Sequence, residues 1–124
     1  MTDSSQVQSE EMVPLAVELS VSNLKTSLEL YQALGFKLTR LHEEAKFAVL
    51  EFRGAILMLE EHIQEKPLGL GVNLRFYLPN GLSELYALAQ SKPGLITQSL
   101  LHTSYGLDEF YITDPDGYRI RFCS

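Results

Sequence analysis

The sequence predicts an α+β fold built from two similar βαβββ modules, and three observations point to it. Short motifs recur at a constant offset: Val17-Glu-Leu19 matches Val72-Asn-Leu74, and Glu29-Leu-Tyr31 matches Glu84-Leu-Tyr86, each pair 55 residues apart. Self-similarity at a fixed period marks a duplicated supersecondary unit. Around each copy, one alternating apolar–polar stretch is followed by a helical stripe and then by three more alternating stretches. The chain closes on Tyr105–Ser124, which reads as strand, tight turn, strand. In Asp114-Pro-Asp-Gly117 the proline presets φ, the aspartates can bond nearby backbone, and the glycine takes φ > 0 without steric cost.

The elements follow in order. Pro14–Val21 alternates as a strand with Leu15, Val17, Leu19 and Val21 on one face. Ser22 or Asn23 can cap the helix that follows. Leu24, Leu28, Tyr31 and Leu34 form its apolar stripe, and Gly35 stops it. Strands are expected at Phe36–Leu41, Lys46–Phe52 and Ala55–Glu61, the last two joined by a short Arg53-Gly54 turn. The second copy has a strand over Gly71–Leu78 and a helical stripe of Leu82, Leu85, Tyr86 and Ala89 that ends near Pro93-Gly94. Strands then follow at Leu95–Leu101, Leu107–Thr113 and Tyr118–Cys123. The expected organisation is a disordered lead over 1–12 and a single domain over 13–124. That domain comprises module one (13–62), a linker with Pro67, Gly69 and nearby Gly71 (63–70), and module two (71–124).

A chain of 124 residues with 45% apolar content is long enough for a real core. Its net charge is −6, but Asp3, Glu10 and Glu11 lie in the lead, so 13 acids against 10 bases, an excess of −3, belong to the rest. A mildly acidic surface disfavours nonspecific nucleic-acid binding. No stretch approaches membrane-spanning length, and no basic-then-apolar leader opens the chain. The single Cys123 excludes an intramolecular disulfide framework and fits a reducing cytoplasm.

The closing hairpin resembles that of the vicinal-oxygen-chelate superfamily, the glyoxalase/bleomycin-resistance/ring-cleaving-dioxygenase group. The match covers residues 13–124. Metal-using members of that group carry a ligand Glu in an apolar-Glu-apolar triplet on the last strand. Here the triplet is Ile120-Arg121-Phe122. The resemblance implies mixed, curved sheets around a shared cavity, and a homodimer that completes it. It also implies ligand positions on the module-opening and module-closing strands. In this sequence those positions are Ala16 (or Glu18), Glu60, Asn73 and Arg121. Only Glu60 is an ordinary ligand. Alanine cannot coordinate, asparagine is weak, and arginine is a permanent cation that repels a metal ion. No metal or other cofactor is therefore expected. His42 and His102 fall in loops or at strand ends, and His62 lies beyond its strand, so none repairs the set.

Strand parity sorts the faces, because alternate side chains point to opposite sides. The cavity-facing candidates are Glu18, Glu60, Asn73, Arg75, Tyr77, Tyr111, Arg119 and Arg121, with Phe47, Val49, Glu51 and Glu109 assigned less firmly and Tyr105 as a further aromatic neighbour. The acids and arginines could simply pair with one another, Glu60 with Arg121 first. Alternatively, the arginines could grip an anionic or aromatic metabolite while tyrosines stack on its flat part. The leading expectation is metal-independent small-molecule binding. Sequestration of an antibiotic, as in bleomycin-resistance members, is a variant of it. The alternatives are an enzyme of the group, a lyase, isomerase or ring-cleaving dioxygenase acting on a vicinal-oxygen substrate, or a dimerising protein without a ligand. An enzyme of this kind would use Glu60 as its best acid–base candidate and Tyr111 as the second.

Overall fold

The computed structural model describes residues 14–62, 69 and 71–124. The expected lead over 1–12 and most of the expected linker lie outside the described residues. The chain divides into two compact units, Met1–Gln64 and Glu65–Ser124. Each holds one helix and one four-stranded mixed sheet. The architecture is thus α+β.

In the first unit the elements are β1 (Ala16–Val21), α1 (Leu24–Ala33), β2 (Lys37–His42), β3 (Phe47–Phe52) and β4 (Ala55–Glu61). The sheet order is β1-β4-β3-β2, with β1 parallel to β4 and the other pairs antiparallel. A parallel pair needs a long crossover, and α1, β2 and β3 supply it. Leu24, Leu28, Tyr31 and Leu34 are all buried, as the stripe requires. Tyr31 meets Phe36 edge-on at 5.2 Å, and Phe36 stacks on Phe52 at 4.3 Å. Offset and edge-to-face aromatic pairs of this kind add to the area they bury.

Asn23 is the residue that caps α1. Its side chain accepts from the Thr26 N–H at 3.0 Å. A second cap comes from 37 residues downstream, where Glu61 Oε2 accepts from the Leu24 N–H at 2.9 Å. Arg53 and Gly54 both have positive φ, 53° and 87°, as a two-residue turn between β3 and β4 demands. Glu51 Oε1 accepts from the Gly54 N–H at 2.7 Å, so this carboxylate braces the turn. Leu15, expected on the core face, is 74% exposed, because β1 begins one residue later and strand parity does not reach it.

The second unit contains β5 (Asn73–Tyr77), α2 (Leu82–Gln90), β6 (Ile96–His102), β7 (Asp108–Thr113) and β8 (Arg119–Cys123). The sheet order β5-β8-β7-β6, with β5 parallel to β8, repeats the first unit. Leu82, Leu85 and Ala89 are buried under α2, and Tyr86 reaches Phe110 at 4.9 Å. Phe110, Ile112, Ile120 and Phe122 are fully buried and form the centre of this core.

The Asp114–Gly117 turn folds as its sequence predicts. Asp114 Oδ1 accepts from the N–H groups of Asp116 and Tyr118, each at 2.9 Å, and the Gly117 N–H returns to the Asp114 carbonyl at 3.0 Å. Gly69 packs against this turn and donates to the Asp116 carbonyl at 2.8 Å. A Cβ at position 69 would lie 2.3 Å from the Tyr118 nitrogen, so only glycine permits the approach.

Candidate functional site

The sheet of the second unit carries most of the predicted site residues on the face turned away from its core. Register aligns them in rows. Arg75 on β5 lies beside Arg121 on β8, and Arg121 lies beside Tyr111 on β7. One row along, Asn73 lies beside Arg119, and Arg119 beside Thr113. The row on the other side holds Tyr77, Cys123 and Glu109. Like charges directly across a ladder repel, so the Arg75–Arg121 row requires compensation.

Glu109 provides it. The residue is 3% exposed, and a buried carboxylate is tolerated only when paired. Its Oε1 is 3.6 Å from Arg75 Nη1, and its Oε2 is 3.3 Å from Arg121 Nε. The Arg121 contact has the distance of an ion pair but not the direction of a hydrogen bond, and among the described residues its buried Nε has no hydrogen-bond partner. The Tyr105 hydroxyl donates to Glu109 Oε1. That hydroxyl also leads the effects that hold the Arg75 guanidinium still more firmly in its charged form, against a smaller opposing effect of desolvation. Arg75 Nη1 further reaches Cys123 Sγ at 3.8 Å.

Aromatic rings surround the cations. Arg121 Cζ sits 4.9 Å from the centre of the Tyr111 ring, and Arg119 Cζ sits 5.4 Å from the same ring. Arg75 lies between Tyr77 at 5.8 Å and Tyr105 at 5.7 Å. Tyr77 and Tyr105 are 65% and 57% exposed, leaving their ring faces open to a planar group. Among the described residues Arg119 has no acidic partner. Asn73 is exposed and leans to the Gly71 carbonyl at 3.5 Å.

The first unit carries the other two predicted site residues, Glu18 on β1 and Glu60 on β4. They share a hydrogen bond. That bond, followed by desolvation and the negative charge of Glu60, raises the Glu18 carboxyl above its ordinary value, while His62 pulls it the other way. His62 Nε2 lies 3.1 Å from Glu60 Oε1. Within the first unit Glu60 meets an acid and a histidine, and within the second Arg121 meets an acid one strand away in its own sheet. The Glu109–Arg121 contact is diagonal, Glu109 standing opposite Cys123 and Arg121 opposite Tyr111, and a sequence without register does not display it. A groove of about 460 Å³ also opens in this unit, between α1 and β2. Leu24, Leu28, Leu38 and Leu41 are among its lining residues, and none of the predicted site residues is.

The four ligand positions implied by resemblance do not fit a divalent metal. Ala16 offers no donor, Asn73 offers only a weak amide oxygen, and Arg121 is a cation already bound to a carboxylate. Among the described residues, no group of three or more His, Cys, Asp or Glu could hold a metal ion. No helix among them is long and apolar enough to cross a membrane.

Sequence reading placed Glu109 inward but missed its part as the anchor of two arginines. The signal was an acid on the same strand parity as Tyr111, and it became legible only once β7 was registered against β8.

Comparison with known proteins agrees with this fold. The family model described as the Glyoxalase/Bleomycin resistance protein/Dioxygenase superfamily matches residues 14–122. A bleomycin-binding protein solved in complex with bleomycin is similar in structure, with a TM-score of 0.73, 19% identity and coverage of 91% of this chain and 98% of that one. A bleomycin resistance determinant encoded on the transposon Tn5 is similar at a TM-score of 0.76, with 19% identity and the same 91% and 98% coverage. TioX from Micromonospora sp. ML1 gives 0.72 and 20% identity, covering 88% of this chain and 95% of its own. At these identities the likeness is one of fold. No curated protein matched the sequence.

Proposed function

Because the chain belongs to the Glyoxalase/Bleomycin resistance protein/Dioxygenase superfamily, we propose that it is a metal-independent small-molecule-binding protein whose ligand is an anion with a flat, aromatic part. The observation that carries this reading is the second sheet's outer face, where three arginines stand among tyrosines with one buried carboxylate between them. Guanidinium groups are planar forks suited to carboxylate or phosphate oxygens, and tyrosine faces suit a ring. Glu109 uses Nη1 of Arg75 and Nε of Arg121, so the two terminal nitrogens of Arg121 remain for a ligand. The same arginines disfavour a cationic antibiotic, so drug sequestration is the weaker form of this reading. The protein acts as a homodimer. Tyr77 and Leu101 support this, since both are exposed large apolar side chains on this one sheet.

The test is a thermal-shift and calorimetric screen of anionic aromatic compounds, run with and without a chelator. A ligand that binds equally in both conditions is expected, with Arg121→Ala reducing its affinity at least about tenfold, the scale of one charge-assisted contact. Unchanged affinity in Arg121→Ala would remove the reading.

A second reading rests on the cluster of Glu18, Glu60 and His62 on the first sheet. The Glu18 carboxyl, raised above its ordinary value, is a competent general acid, and Glu60 between it and His62 is the place where a superfamily lyase, isomerase or dioxygenase would do proton chemistry. Turnover of a catechol or a hemithioacetal that is lost in Glu60→Gln would favour it over binding alone.

A further inference from the structure

We propose that the ligand carries two negative charges close together at one end of its ring; this rests on the binding reading above and specifies its substrate class. The argument is one of charge and convergence. Arg75, Arg119 and Arg121 supply three positive charges on one sheet face, and Glu109 is the one carboxylate among the described residues that meets any of them. Asp108, the next residue along β7, is bound instead to His102 at 2.7 Å. Two positive charges therefore remain, a count that a dianion matches and a monoanion does not.

Their placement matches the count. Arg119 and Arg121 are two residues apart on one strand, which separates their backbones by about 7 Å. Both guanidiniums nevertheless converge on the Tyr111 ring, at 5.4 Å and 4.9 Å from its centre. A doubly charged group can offer one oxygen to each of these forks. Arg75 stays with Glu109, and the exposed Tyr77 and Tyr105 rings beside it offer a surface for the flat part. A phosphate monoester and a vicinal dicarboxylate share this chemistry.

Calorimetry on the full chain with phenyl phosphate, phthalate and benzoate tests the idea, because all three carry the same ring. At pH 8 phenyl phosphate is a dianion, and it is expected to bind at least about tenfold more tightly than benzoate. At pH 5, below its second ionisation near 6, its advantage should shrink. Arg119→Ala, at an exposed position that leaves the core intact, should abolish the advantage of phenyl phosphate over benzoate. Phthalate binding as tightly as phenyl phosphate would assign recognition to charge, and weaker phthalate binding would assign it to phosphate geometry. Both outcomes support the proposal. Equal affinity for phenyl phosphate and benzoate at pH 8, or an equal loss of both in Arg119→Ala, would overturn the dianion while leaving anion binding in place. No binding of any of the three would overturn the dianion, and the anion-binding reading would then stand or fall on the wider screen.

Discussion

Glu109 is the residue on which the second sheet depends. A carboxylate buried to 3% exposure costs several kcal/mol in desolvation, and it is stable here because two guanidiniums and a phenolic hydroxyl surround it. Removing it leaves two arginines without their counter-charge. Both keep about a quarter of their side chains in water, 28% and 27%, so the loss should fall below that of a fully buried pair. Glu109→Ala is expected to lower stability by about 2 kcal/mol, read as a lower urea midpoint with an unchanged slope. Glu109→Gln, which keeps the shape and an acceptor for Tyr105, should lose less. An unchanged midpoint in both variants would mean that the arginines are not held by this carboxylate. Strand parity alone indicates the inward direction of Glu109, but its arginine partners lie on β5 and β8, and register brings them together.

At the scale of elements, helix α1 is tied down by a residue far outside it. Glu61 sits at the end of β4, accepts from the Leu24 N–H and pairs with Lys46 Nζ at 3.0 Å. The Leu24 N–H first, and Lys46 after it, hold the Glu61 carboxyl below its ordinary value of 4.5. With a lowered folded value, the native state takes up a proton less readily than the unfolded chain. The resulting stability is present above about 4.5 and lost as pH falls through the folded value. Glu61→Ala should therefore be less stable than the parent at pH 7, and the two should converge in acid. Urea midpoints at intervals from pH 7 to pH 3 would check this, and a constant gap would show that the ionised carboxylate is not the cause. Asn23 as the local cap was legible from sequence, because Ser, Thr, Asn and Asp before an apolar stripe announce a helix start. Glu61 was not, because its role arises from β4 running parallel to β1 beside the helix entrance.

At the scale of the molecule, the two units repeat one topology with different chemistry. Ser20 pairs in register with Glu60 in the first sheet, where Arg75 pairs with Arg121 in the second. A serine and an acid thus occupy the row that arginines occupy in the duplicate. The homodimer proposed above predicts a solution mass of twice the chain, by light scattering after gel filtration. It also predicts that Leu101→Lys, a charge placed on an exposed apolar position of the second sheet, shifts the population toward monomer. A monomer at micromolar concentration would rule out a dimer-completed cavity.

The sequence by itself determined the two-module α+β architecture, because apolar periodicity and turn chemistry are local and survive duplication. The Asp114–Gly117 turn, the Arg53-Gly54 turn, the α1 stripe and the face assignment of Arg75, Tyr111, Arg119 and Arg121 all follow from residues within a few positions of one another. It also determined that the usual metal-ligand positions are chemically wrong for a metal, since arginine cannot be made a ligand by any packing. Only the tertiary structure decided who pairs with whom. Within the second sheet Arg121 joined Glu109, within the first Glu60 met Glu18 and His62, and Glu51 braced the turn between β3 and β4. Ion pairs and shared protons depend on separations of a few ångströms between strands, and those separations are set by register, which no single strand encodes.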